Sequence, residues 1–553
     1  VQAAILGLIT LGGISLSFWG VVGSLRFVHE RVGRCDARAA VTPGARWVWG
    51  FGGGATCALP GLALFYLSFE AVRLSLTSIR PPGIGTVSPL LVIGSILAIW
   101  MIFGFGSAWF AGKLVLRPRF ALVGALGHGT AYWFGIAAFI VPAALETNIQ
   151  GGLIAALAAA TLLLTAALSW IGIHFGVSNP PRTPAGPAKR LEPGDVAAVI
   201  PAHNEEKSIG ACLEALGSVL PMSQVYVGSD GSSDRTVEIA RHAGCAVEDI
   251  QPNRGKAQAI KLVLDKFDIV QRYKVVLILD ADSEIDKSYL RRALPLFDDS
   301  RVAAVAGHVV SKWKRHAFPR WSMLFVAYRV RLYALLQAVL RFGQTWEQTN
   351  VSFIIPGFAS MYRTEVLPQI DITAPGLIIE DFNMTFELQK KRLGSIAYSP
   401  CIRCLSEDPH GLRDYVKQLR RWNLGFWQTV RRHGIWASGF WASLGVFTLE
   451  VFVFSLFIVT VPVTLAVMLA AGEIPSIGIA NFGITLPDIF VGLFVADYMI
   501  TVVIAVINRK WILLVYGLAF IFVRWIDGLL FLYTFVLSWF VKSDGRWASP
   551  NRW

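Results

Sequence analysis

Val275-Val-Leu-Ile-Leu-Asp-Ala-Asp282 is a run of aliphatic residues that stops abruptly on two carboxylates. A short, unbroken apolar stretch is what a strand covered on both faces requires. In an α/β sheet, ligands sit beyond the carboxyl ends of such strands, which is where the acids fall. Working outward, Val196 to Ile200, Gln224 to Ser229 and Val302 to Val305 have the same character. Helical patterns at 207–219, 234–243 and 255–268 separate the earlier runs. This rhythm predicts a soluble domain with a parallel α/β sheet over about 195 to 400.

Each predicted strand end carries a polar cluster. Alternate residues of an extended chain share a face, so Asp280 and Asp282 can both point at a hard cation and at the ribose of a nucleotide. In Pro201-Ala-His-Asn-Glu-Glu206, His203 could stack on a flat base while Asn204 and Glu205 hydrogen-bond its edge. Ser229-Asp-Gly-Ser-Ser-Asp-Arg-Thr236 is a strand end, a glycine turn and a capped helix. Both also read as ordinary helix caps. Asn253-Arg-Gly-Lys256 opens a helix, where free N–H groups and a lysine favour a phosphate. Leu377-Ile-Ile-Glu-Asp381 offers a carboxylate able to accept a proton from an attacking hydroxyl, or a simple acid pair at a helix start. In Gln418-Leu-Arg-Arg-Trp422 the amide, the Arg421 guanidinium and the indole share one helical face. That face could grip a diphosphate and a sugar ring, or could simply lie at a membrane surface.

The rest of the chain is strongly apolar. Of its 553 residues, 54% are hydrophobic and 16% charged, and the mean hydropathy of +0.54 points to a membrane protein. Five long apolar runs, near 1–27, 47–76, 88–114, 120–144 and 151–177, are each long enough to cross roughly 30 Å of hydrocarbon. Basic residues concentrate in 28–46 and 113–119, which places those loops and the soluble domain in the cytoplasm. The expected organisation is a transmembrane region over 1–178, a proline-dense linker over 179–194, a cytoplasmic domain over 195–435, a second transmembrane region over 436–541 and a cytoplasmic tail over 542–553. Apolar spans in the second region fall near 439–471, 485–507 and 511–541, the last expected to break near Arg524 and Asp527. Segments 318–342 and 411–433 mix aromatic and basic residues and read as interfacial helices, the first with Trp321, Leu324, Phe325, Tyr328, Leu332 and Leu335 at helical spacing. The net charge of +13 matches a basic cytoplasmic surface. No basic stretch coincides with a nucleic-acid motif, so a nucleic-acid partner is not expected. Cys401 and Cys404 lack the second pair that a zinc site needs and read as packing.

The ordered set of clusters resembles family 2 glycosyltransferases, specifically the membrane-bound cellulose, chitin-oligosaccharide, poly-N-acetylglucosamine and hyaluronan synthases. The resemblance is strong from about 195 to 435, and Q-x-x-R-W at Gln418, Arg421 and Trp422 is its most specific element. It implies a GT-A domain beneath a membrane platform, probed by a UDP-sugar and a growing polysaccharide. By the resemblance, His203, Glu205 and Asp230 hold the uridine, Lys256 the diphosphate, and Asp280 and Asp282 the ribose and a Mg²⁺ or Mn²⁺. Asp381 is the implied general base, with Glu380 beside it, while Gln418, Arg421 and Trp422 hold the diphosphate and the acceptor end. Pro356-Gly-Phe-Ala-Ser-Met-Tyr-Arg363 matches the acceptor-lining segment, which makes Phe358 and Met361 acceptor contacts. Ile379 stands where cellulose synthases have Thr, and the acceptor segment lacks their cysteine, which weakens a cellulose assignment.

The implied reaction is an inverting, processive transfer from a UDP-sugar, with UDP-N-acetylglucosamine the favoured donor, followed by passage of the chain across the plasma membrane. Ionisable residues in apolar segments, Glu70, Arg73, Glu450, Asp497, Arg524 and Asp527, are candidates to line that path or to sit at helix ends with their charges reaching the interface, the second reading being favoured for Glu70 and Arg73. Membrane lipid is an expected partner, and accessory secretion subunits or a homo-oligomer are compatible with the resemblance. Two other readings stay open: a non-processive transferase acting on a lipid acceptor, and an inactive transport or scaffold protein.

Overall fold

A computed structural model of the chain describes residues 190–313, 320–341, 344–345, 350–472 and parts of 476–541. The spans expected within 1–178, most of the linker, the tail, Glu70 and Arg73 lie outside the described residues. One compact unit is formed by Arg182–Phe457 and Phe522–Trp553, and a second includes Ile458–Ile521.

The first unit is built on an eight-stranded sheet. Its strands are β1 (Val196–Ala202), β2 (Val225–Asp230), β3 (Ala246–Ile250), β4 (Val275–Leu279), β5 (Glu284–Ile285), β6 (Val302–Ser311), β7 (Ala359–Arg363) and β8 (Ser395–Ser406), in the order β3-β2-β1-β4-β7-β6-β8-β5. β1 to β4 are mutually parallel. The expectation of a parallel sheet needs correction, because β7 is wedged antiparallel between β4 and β6, and β5 runs antiparallel to β8. The segment expected only to line an acceptor site is thus also a central strand, and its pairing partners lie too far away in sequence for local pattern to show them.

Period-2 alternation sorts the strand residues into two cores. Ala198, Ile200, Val227 and Leu277 face α1 (Ile209–Gly217) through Cys212, Leu213 and Leu216. Val199, Tyr226, Val276 and Ile278 face α3 (Lys256–Lys266) through Ile260, Val263 and Leu264. Between these helices lies α2 (Thr236–His242). A Cβ on Gly228 would lie 2.8 Å from Val263 Cγ2, so the missing side chain lets α3 sit close on β2.

Among the helices that follow are α4 (Leu324–Leu335), α5 (Glu380–Lys390), α6 (Leu412–His433) and α7 (Gly439–Ala470). The stripe expected over 318–342 is realised only in part. Phe325 and Tyr328 are buried, whereas Trp321 is 81% exposed and Arg329 and Arg331 are buried instead. Near the end of the chain, Leu513–Gly517 is a short helix and Phe520–Leu537 is α8. The expected break at Arg524 and Asp527 is therefore also corrected: the chain turns at 518–519, and α8 runs unbroken through both charges. Their partners explain why. Asp527 accepts hydrogen bonds at 2.5 Å from the hydroxyls of Tyr328 and Tyr415, and Arg524 lies 4.6 Å from the Phe454 ring centroid. A charge met by partners does not need to leave the helix. Among the described residues, α7 and α8 are long and apolar enough to cross a membrane by length and composition.

Candidate active site

The carboxyl ends of β1 and β2 are stitched to each other before any ligand is considered. Asn204 has a positive φ of 53°, and its side-chain oxygen accepts the Ser233 N–H at 2.8 Å. The Glu205 N–H donates to Thr236 Oγ1 at 2.8 Å, and the Glu205 carboxylate, 2% exposed, accepts from the Ser208 hydroxyl at 2.5 Å. Asp230 is fully buried, and its two oxygens accept the N–H groups of Arg254 and Gly255, each at 2.7 Å. Gly231 must be glycine: its φ is 68°, and a Cβ would lie 2.8 Å from the Asn253 nitrogen. The Glu205 and Asp230 carboxylates, expected to contact a uridine, are both buried and hydrogen-bonded within these turns. His203 remains half-buried at this edge, where its Nδ1 is 2.6 Å from the Asp230 carbonyl oxygen.

Asp230 thereby fixes the loop that delivers Lys256 as the first residue of α3. Lys256 Nζ lies 2.8 Å from Asp280 Oδ1 and 2.9 Å from Glu380 Oε1. Burial works to lower the lysine pKa, but the charges of Asp280, Glu380 and Asp381 outweigh it and hold the pKa well above the usual lysine value. Asp280 follows the last residue of β4, and its N–H donates to the Phe358 carbonyl at 3.1 Å. Residues 280–283 form a tight turn closed by the Ser283 N–H on the Asp280 carbonyl at 3.0 Å, so Asp280 and Asp282 are not alternate residues of an extended chain as expected. Burial pushes Asp280 up to about 6, a rise opposed by Lys256 and reinforced by Asp282.

Glu380 and Asp381 open α5, where the helix dipole favours acids. Asp381 Oδ2 accepts the Gly357 N–H at 2.8 Å. Burial and the neighbouring Glu380 charge raise the Asp381 pKa well above the usual carboxylate range, with Lys256 opposing. For Glu380, burial acts upward, but Lys256 and hydrogen bonding prevail and the pKa is lowered. The adjacent acids are thus pushed apart, which is how one of two carboxylates becomes suited to proton transfer near neutrality. Met361, expected as an acceptor contact, is fully buried in the sheet core beside Leu277 and Val305, so that expectation is corrected. Phe358 is half-buried at the start of β7.

Helix α6 lies against this centre. A Cβ on Gly425 would come within 2.9 Å of Ile379, and Gln428 Oε1 accepts the Ile378 N–H at 3.1 Å. Gln418, Arg421 and Trp422 are half-buried, and Gln418 Oε1 accepts from Arg329 Nη2 at 3.0 Å. Arg329, which the sequence did not single out, also lies 4.3 Å from the Trp422 ring centroid. Its only signal was a basic residue in an apolar helix pattern.

Among the described residues, no group of three or more His, Cys, Asp or Glu side chains is placed to hold a metal ion. Asp280 and Asp282 still suit a hard cation that takes one or two protein carboxylates and completes its shell with substrate phosphates and water. The raised pKa of Asp280 beside Asp282 is the strain that a divalent charge relieves.

Comparison with known proteins gives this geometry its context. Residues 193–425 match the family described as glycosyltransferase like family 2. Hyaluronan synthase from Streptococcus pyogenes is 30% identical over 258 residues, covering 42% of this chain and 57% of that protein. The chain thus spans somewhat more than half the length of that relative. A dolichyl-phosphate hexose transferase from Haloferax volcanii is 31% identical over 118 residues, 21% of this chain and 49% of that protein. Among solved structures, a mannosyltransferase from Pyrobaculum calidifontis in complex with GDP-Man and Mn²⁺ aligns with 72% of this chain and 99% of its own, at 16% identity and a TM-score of 0.43. The α/β domain of residues 193–425 is a family 2 glycosyltransferase domain.

Proposed function

We propose that the chain is an inverting, processive hexosyltransferase that polymerises sugar units from a UDP-sugar, with UDP-N-acetylglucosamine the favoured donor, and passes the polysaccharide across a membrane. The observation that carries this reading is the convergence of Lys256, Asp280, Glu380 and Asp381 at the carboxyl edge of the sheet. In it Asp381, held by the Gly357 N–H, takes the proton from the acceptor hydroxyl as that oxygen attacks the anomeric carbon and the bond to the diphosphate breaks. Lys256 lies at the start of α3, where its charge and the helix N-terminus favour the diphosphate. Asp280 and Asp282 would hold a Mg²⁺ or Mn²⁺, which when bound supplies positive charge against the leaving group. Arg421 adds a guanidinium for the diphosphate, and Trp422 and Phe358 support the acceptor sugar. Helices α7 and α8 support an integral membrane location, and the basic segments 28–46 and 113–119 support a domain on the cytoplasmic side.

The test is UDP release by the protein purified in lipid, with Mg²⁺ or Mn²⁺ and a panel of UDP-sugars, alongside Asp381→Asn. Release with one donor, lost in the variant and accompanied by a long polymer, supports the whole reading. The similarity to a dolichyl-phosphate hexose transferase favours a second reading, transfer of one sugar to a lipid. A single-sugar product would replace the first reading with the second, and absence of release from every donor would refute both.

A further inference from the structure

Arg329 lies on α4, outside every motif in the chain, and is fully buried. Its guanidinium carbon is 4.3 Å from the Trp422 ring centroid and 4.9 Å from that of Tyr415, and Nη2 donates to Gln418 Oε1 at 3.0 Å. A planar cation lodged against two rings fixes both, which a lysine in its place would do poorly. Yet Nε and Nη1 are buried without a hydrogen-bond partner. Charged donors left unpaired in an interior are costly and call for an explanation.

The surroundings narrow what could meet them. Asp408 and Asp527 lie close enough for their charges to act on Arg329. Asp408 accepts from the Tyr333 hydroxyl at 3.0 Å, and Asp527 from Tyr328 and Tyr415. With two carboxylates nearby, a further anion is not needed to balance the charge. What stays unmet is directional hydrogen bonding, and neutral oxygens suffice for that. Tyr333 and Asp408 also lie within electrostatic range of Asp282, so the cluster adjoins the proposed metal-binding pair.

We propose that Arg329 is a positioning and sugar-binding residue of the acceptor site, fixing Trp422 and Gln418 while its Nε and Nη1 hydrogen-bond hydroxyls of the sugar at Trp422. This rests on the reading of the chain as a transferase whose acceptor lies at Trp422. A neutral, polyhydroxylated ligand is the chemical class that supplies such oxygens beside an aromatic plate.

The experiment is calorimetric binding of oligosaccharides to the full chain in lipid, using tetrasaccharides of N-acetylglucosamine, of glucose and of hyaluronan. The wild type should bind at least one of them, and Arg329→Met should weaken it by roughly 10-fold, the size of about two lost hydrogen bonds. UDP affinity should change by less than about 2-fold, and Arg329→Lys should recover only part of the loss, since charge returns without the planar contact. Unchanged tetrasaccharide binding in Arg329→Met overturns the proposal, as does equal loss of UDP and tetrasaccharide binding, which marks a purely structural role. A wild type that binds none of the three also overturns it. If Arg329→Met does not fold, Arg329→Lys and Arg329→Gln are judged by the same two affinities. UDP release is measured separately: its absence with every donor sinks the transferase reading, while the tetrasaccharide affinities still judge Arg329.

Discussion

Replacing Gly357 by alanine displaces Asp381 without altering its chemistry. A Cβ built on Gly357 would lie 2.2 Å from Asp381 Oδ1, 2.8 Å from Cγ and 2.9 Å from Oδ2, where ordinary contact begins at 3.4 Å. The carboxylate must therefore retreat by about 1 Å, or the backbone at 357 must. Asp381 sits in the first turn of α5, so its main chain is held by the helix and the side chain is the part able to move. Either motion breaks the 2.8 Å bond from the Gly357 N–H. Misplacing a reacting group by about 1 Å can cost roughly 100-fold in rate, or about 2.7 kcal/mol in the barrier. The expected result is a fall in kcat for UDP release of roughly that size, with the donor KM within about 3-fold, since nothing that binds the nucleotide has changed. Gly194→Ala is the control, because a Cβ there meets nothing within 4 Å. A Gly357→Ala enzyme that folds and keeps kcat within about 3-fold of wild type would refute the assignment of Asp381 as base, or the closeness of this contact.

Asp381→Asn should lower UDP release by roughly 100-fold to 10,000-fold while leaving UDP affinity nearly intact, as removal of a general base does; retained turnover would exclude that role. Burial and the Glu380 charge raise the Asp381 pKa, so the base is lost as pH falls through the raised value; Glu380→Gln should move the acid limb of kcat/KM to lower pH, and an upward shift would contradict the electrostatics. Removal of divalent metal with EDTA should reduce UDP release at least about 100-fold, reversibly with Mg²⁺ or Mn²⁺, and Asp282→Asn should raise the metal concentration needed for half-maximal rate. Gly425→Ala should destabilise the domain by about 1–3 kcal/mol in denaturant unfolding, because its Cβ would come within 2.9 Å of Ile379 where α6 meets the 377–381 segment.

The strands nearest the site were legible because a strand buried on both faces must be apolar along its length, and Val275 to Leu279 is bounded as its composition suggests. The two helix starts carrying Lys256 and Glu380 were legible for a similar local reason, a polar cluster preceding a helical pattern. Residue roles were less legible. An aspartate at a strand end has the same local signature whether it takes a ligand or two backbone N–H groups, and Asp230 takes the N–H groups of Arg254 and Gly255. Glu205 likewise serves its own turn through Ser208. Met361 was misread because its segment contributes a loop end at Phe358 and a core strand immediately after it. Nor could composition show that Arg329 and Arg331 would be buried while Trp321 of the same segment stands exposed, since tertiary partners on α6 and α8 decide it.

The antiparallel insertion of β7 explains how residues so distant in sequence form one centre. Because β7 runs against β4, Ala359 pairs with Leu279 and the residues entering β7 arrive at the edge where β4 ends. Phe358 there receives the Asp280 N–H, and its neighbour Gly357 donates to Asp381. A parallel β7 would bring the far end of the strand, near Arg363, to that edge and leave Asp381 without this donor. Lys256 closes the circuit from α3 by touching both Asp280 and Glu380. Two strand ends and two helix starts therefore fix one another through contacts of 2.7 to 3.1 Å, with Asp230 beneath holding the loop into α3. Such an arrangement holds the lysine and the proposed base in place before a substrate arrives, which is the condition under which charged groups act on developing charge with little reorganisation.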